Sequence, residues 1–126
     1  IKSSAASDVY KRQPHDFDHI RKLADKYISQ GVNRGEGWLI PAEMAALAET
    51  GTENIICTQP FGCLPNHIVA KGMSRVIKQA YPNANIVAID YDPGATKVNQ
   101  ENRIKLMLST ANKNLAKEEK ESKKDA

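Results

Sequence analysis

Asn85-Ile86-Val87-Ala88-Ile89-Asp90 is the clearest strand signal in the chain, and its composition decides the fold class. Apolar residues follow one another almost without a break, which suits a strand covered on both faces. Just upstream, helical spacing over 66–80 places Val69, Met73, Val76, Ile77 and Ala80 on one face, and Tyr81-Pro82-Asn83 closes the segment. Before that helix comes a second short β-branched run, Asn54-Ile55-Ile56-Cys57-Thr58. Two strands joined by a helix of this length are expected to be parallel, with a right-handed crossover. Downstream, Tyr91-Asp92-Pro93-Gly94 reads as a turn. A last helix over 96–115 aligns Val98, Ile104, Met107, Leu108 and Ala111 along one stripe.

Farther towards the N-terminus, Phe17, Ile20, Leu23, Ala24, Tyr27 and Ile28 recur at helical spacing over 16–30, and Gly31 is a natural stop. A glycine-bearing loop over 31–37 leads to Trp38-Leu39-Ile40. Pro41 then sits where a first helical turn tolerates it, and Met44, Leu47 and Ala48 give a short helix that ends at Gly51. The expected order is α-α-β-α-β-α, an α/β fold with a Rossmann-like parallel sheet. Two strands alone make a marginal sheet, so its remaining strands are expected in sequence upstream.

Both ends read differently from the middle. Ser3-Ser4-Ala5-Ala6-Ser7-Asp8-Val9-Tyr10-Lys11-Arg12-Gln13 matches the in-frame translation of a transposon-type sequencing adapter, so residues 1–13 are set apart as foreign. The natural part is then expected to begin near Pro14, as the downstream piece of a longer gene, with 14–115 forming the α/β portion. Without Lys2, Asp8, Lys11 and Arg12 the formal charge of +3 falls to about +1. No basic stripe with interleaved aromatics remains to suggest nucleic acid. No apolar stretch approaches membrane-spanning length. Two cysteines do not suggest a secreted disulfide scaffold, and a cytoplasmic setting is the default. Residues 116–126 carry balanced charges and no apolar anchor, and are expected to form a disordered tail.

Chemistry concentrates between the first strand and the next helix. Cys57 and Cys63, separated by Thr-Gln-Pro-Phe-Gly, are the only cysteines in the chain. The expectation puts Cys57 at the carboxyl end of its strand and Cys63 at the mouth of the helix, where open α/β sheets bind ligands. A helix N-terminus favours thiolate, the form that binds iron or zinc. The spacing is wider than that of a zinc ribbon or a thioredoxin-like pair, and from spacing alone two ordinary core cysteines carry more weight. His67, in the first turn of the helix, is a second candidate, balanced against a plain surface histidine. Asp90 and Asp92 lie at the same rim of the sheet, where capping the turn is the commoner role. Gly35-Glu36-Gly37-Trp38 fits neither a dinucleotide nor a P-loop pattern, and reads as a tight loop beside a core tryptophan.

The string Asn54-Ile55-Ile56-Cys57-Thr58-Gln59-Pro60-Phe61-Gly62-Cys63-Leu64-Pro65-Asn66-His67, with Asp90-Tyr91-Asp92-Pro93-Gly94-Ala95 and Val98-Asn99-Gln100-Glu101-Asn102-Arg103-Ile104-Lys105-Leu106-Met107, carries a resemblance. Over roughly 35–108 the chain resembles the C-terminal, dehydratase-subunit-like end of the fused proteins related to the activator of 2-hydroxyacyl-CoA dehydratases, the acyl-CoA dehydratase activase family. That resemblance implies an iron–sulfur protein of anaerobic metabolism, with a [4Fe–4S] cluster used in electron transfer or radical dehydration. It implies Cys57 and Cys63 as cluster ligands, with Gln59 and His67 in supporting positions. It also implies that ATP is used only by upstream domains of the same chain, and that a dehydratase or activator subunit and an acyl-CoA substrate are partners. Against it stands a non-catalytic docking or structural α/β domain with inert core cysteines. A zinc-stabilised module is a weaker third reading.

Overall fold

The computed structural model describes residues 15–60 and 62–123. The stretch 1–13 and the last three residues of the expected tail lie outside them. In chain order the elements are α1 (Phe17–Ala24), α2 (Leu39–Glu49), β1 (Asn54–Pro60), a π-helical segment (Pro65–Ala70) running straight into α3 (Lys71–Ala80), β2 (Asn85–Tyr91) and α4 (Lys97–Ser122). The α-α-β-α-β-α order is the expected one. β1 and β2 pair in parallel, with Ile55 opposite Ile86, Cys57 opposite Ala88 and Gln59 opposite Asp90. Among the described residues the sheet contains these two strands.

The period of a strand divides β1 into two faces: Ile55, Cys57 and Gln59 are buried while Asn54, Ile56, Thr58 and Pro60 are exposed. The buried face joins Met44 of α2, Ala70 and Ile77 of the helix that follows, and Ala84 and Ile86, in one core. On the opposite face α4 lies over β2. Asn85 ties the layers together, its Nδ2 donating to the Met107 carbonyl at 2.9 Å and to Asn54 Oδ1 at 2.9 Å. A second core packs Ile20, Leu23 and Ala24 of α1 onto Ala42, Ala45 and Ala46 of α2.

Several expectations about the helices require correction, Val76 and Ala80 of α3 among them, since both are exposed although their spacing put them on the apolar face. α1 stops at Ala24 instead of reaching position 30, because the Tyr27 and Ile28 N–H groups both turn back onto the Ala24 carbonyl. Tyr27 and Ile28 still pack against the second core, so the apolar set was legible although the helix length was not. On α4, Val98 and Leu108 are 63% and 55% exposed, and the covered positions are Gln100, Ile104, Met107, Thr110, Ala111 and Asn114. Those positions form the one-sided stripe of a helix laid along a single strand. α4 also continues to Ser122, through much of the stretch expected to be disordered. Lys, Glu and Ala are strong helix formers, and no glycine or proline interrupts them before Ser122.

Gly37 illustrates a close approach that only glycine allows. Its neighbour Trp38 donates its N–H to the Val32 carbonyl at 2.9 Å, closing the loop. A Cβ on Gly37 would collide with that carbonyl oxygen, a backbone atom with little freedom to retreat. Gly37→Ala is therefore expected to destabilise the chain by about 1–3 kcal/mol, the usual cost of overpacking. A thermal melt checks this, and Gly72→Ala serves as a control, since its added methyl meets open space.

Candidate functional site

The loop between β1 and the π-helical segment determines where the cysteines go. β1 extends through Pro60, so Cys57 stands at the middle of the strand and not at its carboxyl end, a correction to the sequence reading. The reason is the pairing with β2, which runs out to Pro60 opposite Tyr91; Gln59 keeps the inward alternation, and Pro60, lacking an N–H, fits as the terminal residue of an edge strand. The chain then turns. Gly62 adopts φ +70°, a left-handed conformation favouring glycine, and the Cys63 N–H bonds the Pro60 carbonyl at 3.3 Å. The Cys63 carbonyl accepts from the His67 N–H at 3.0 Å, so Cys63 does stand at the helix mouth. Pro65 follows at the first helical position, where a missing N–H costs nothing.

Asn66 brings the two sulfurs together. Its Nδ2 donates to Cys63 Sγ at 3.0 Å, and its Oδ1 accepts from Cys57 Sγ at 3.7 Å. Both cysteines are free thiols, Cys57 buried and Cys63 half-buried. Gln59, two residues along the same face of β1 and 1% exposed, donates its Nε2 to the Asn66 backbone carbonyl at 3.0 Å. That carbonyl also receives the Lys71 N–H in the wide π-helical pattern. Gln59 thus fixes the backbone of the residue whose side chain holds both thiols. Cys57, Gln59 and Cys63 each hydrogen-bond Asn66, whereas His67 is tied to Cys63 through the backbone. Among the described residues no three His, Cys, Asp or Glu side chains gather as a metal would require.

Asn66 was the residue that the sequence reading passed over. Its only signal was a polar side chain three residues after Cys63, at the point where the apolar helical pattern starts. An asparagine there is ordinarily read as a cap.

Burial pushes the Cys57 thiol above its ordinary value of 9.0, and the neighbouring Cys63 adds a further rise through charge repulsion. Because the folded value is raised, this group contributes stability that is complete below about pH 9 and is lost as pH climbs through the higher folded value. The metal-free reduced chain is expected to lose urea resistance as pH rises above about 9. The loss should be smaller in Cys57→Ser, which removes the titrating group.

A cleft of about 480 Å³ runs between α2 and β1, with Met44 and Leu47 on one wall and Ile55 to Thr58 on the other. Cys57 and Asn66 line it, and Glu36 and Glu43 stand among its walls. At the rim of β2 a separate polar cleft of about 460 Å³ is lined by Asp90, Asp92, Gln100 and Arg103. There Asp92 does what its local chemistry predicts, its Oδ1 accepting from the Gly94 N–H at 2.7 Å, while Thr96 Oγ1 caps α4 through the Asn99 N–H at 3.4 Å. Gly35, at φ +57°, packs near Pro65 at the helix mouth. No helix of the described residues is long and apolar enough to cross a membrane.

No family model matches this chain, and neither the curated proteins nor the solved structures include a significant match to it.

Proposed function

We propose that this chain is the cysteine-bearing end of a cytoplasmic iron–sulfur protein related to the 2-hydroxyacyl-CoA dehydratase activators, with Cys57 and Cys63 supplying sulfur ligands to a [4Fe–4S] cluster. The observation that carries this reading is the convergence of both thiols on the Asn66 amide. Sulfurs from a strand and from the mouth of the next helix meet at one place, next to a cleft that reaches Cys57. The donor set suits iron, since thiolates are the standard ligands of such clusters. It is half a set, because cubane clusters are held by four cysteines or by three with an open iron. The other ligands are assigned to a partner subunit or to upstream domains of the same chain, which would complete a larger Rossmann-like sheet on the parallel pair β1–β2. Those domains are also assigned the ATP chemistry. When bound, the cluster would supply one-electron transfer to an acyl-CoA substrate. The chain's own part is to hold two sulfurs, to orient them through Asn66 and Gln59, and to keep Cys57 out of bulk water.

Anaerobic incubation of the chain joined to the upstream domains or partner subunit that supply the other ligands, with ferrous iron and sulfide, followed by desalting and elemental analysis, tests the reading. The native chain is expected to retain iron and sulfide together, and the Cys57→Ser/Cys63→Ser double variant to retain neither. Equal retention by the two, or retention by neither, favours the structural reading with inert core cysteines. Zinc retained in place of iron marks the zinc-stabilised module.

A further inference from the structure

We infer that Cys57 and Cys63 form a redox-active dithiol, in which Cys63 attacks, Cys57 resolves and Asn66 assigns the two roles. An amide cannot serve two sulfurs alike: its NH₂ group only donates and its oxygen only accepts. Asn66 Nδ2 donates to Cys63 Sγ at 3.0 Å, so that sulfur is the acceptor of the pair. Its Oδ1 accepts from Cys57 Sγ at 3.7 Å, so that sulfur is the donor. Exposure points the same way. Cys57 is buried among core side chains and Cys63 is half-buried in the loop, so a reagent arriving from solvent meets Cys63 first. Gly62, immediately before Cys63, has a left-handed backbone at φ +70°, which turns the chain so that Cys63 stands at the helix mouth.

The oxidant class that fits is a low-molecular-weight disulfide such as oxidised glutathione. The Cys63 thiolate attacks one sulfur of that disulfide, whose S–S bond breaks and releases the first small thiol. Cys57 then gives up its proton, and its sulfur displaces the second small thiol from the mixed disulfide on Cys63. A Cys57–Cys63 bond forms. The two electrons reside in the two released thiols, which also carry the two protons the cysteines lost. This chemistry needs no iron, so it stands or falls independently of the proposed cluster.

The full chain, reduced and freed of metal with a chelator, is mixed with oxidised glutathione, quenched with acid at intervals and read by intact mass and peptide mapping. The native chain is expected to show a transient glutathione adduct on Cys63, then a species lighter than the reduced chain by two hydrogen atoms. In Cys57→Ser the adduct on Cys63 should accumulate. In Cys63→Ser modification should slow at least about tenfold, because the remaining sulfur belongs to a residue only 7% exposed. Stable adducts on both cysteines of the native chain, or first reaction at Cys57, would overturn the assignment. Both readouts come from the native chain and hold even if a variant folds poorly.

Discussion

Ile77→Ala is expected to cost about 2–5 kcal/mol of folding free energy, the range for truncating a buried aliphatic side chain in a packed core. Ile77 is 0% exposed and belongs to the cluster formed by Met44, Ile55, Cys57, Ala70, Ala84 and Ile86. It belongs to the core in which residues of α2, both strands and α3 pack together. Alanine already occupies positions 70 and 84 in this cluster, and small residues cannot swing into the space. Against a total stability of about 5–15 kcal/mol for an ordinary domain, the loss is a large fraction. Urea unfolding should show a lower midpoint with an unchanged slope. Ile68→Ala is the control: that side chain is 65% exposed on the neighbouring turn, and its loss should stay within about 0.5 kcal/mol. Equal effects at the two positions would contradict the packing described above.

On the proposed cluster reading, Asn66→Ala is expected to weaken iron binding about 10- to 100-fold, the range for removing a group that orients metal ligands from behind. The argument rests on what the substitution removes and what it leaves. The amide that touches both sulfurs disappears, so neither thiol is held in place by the other's partner. The Asn66 backbone carbonyl remains, and Gln59 Nε2 can still donate to it. A thiol is a weak hydrogen-bonding group, so freeing Cys57 costs the fold little. Asn66→Asp should fail similarly, because a carboxylate cannot donate to Cys63 and sets a negative charge beside it. Iron titration followed by absorbance, with a thermal melt of the metal-free variants alongside, separates the two effects. A melt that falls steeply while iron affinity holds would make Asn66 a structural residue only.

Much of this protein was written in local patterns. β-branched runs at Asn54 and Asn85 became strands, since such side chains suit a pleated and largely buried surface. The helical segment between them forced parallel pairing, because a connection that long returns the chain in the same direction. The position of Cys63 at a helix mouth also followed from sequence, as Pro65 is a first-turn residue and the apolar pattern starts just after it.

Tertiary structure decided the rest. Which stripe of α4 is covered depends on its lying along β2, and that left Val98 and Leu108 in solvent although their spacing allowed burial. The length of β1 was set by pairing with β2 out to Pro60 opposite Tyr91, which moved Cys57 to mid-strand. The role of Asn66 was invisible to spacing for the same kind of reason. Its backbone is fixed by Gln59, and its side chain faces two sulfurs three and nine positions away. Sequence periodicity reports which face of an element is apolar. The partner that a polar side chain finds across two elements exists only once those elements have packed.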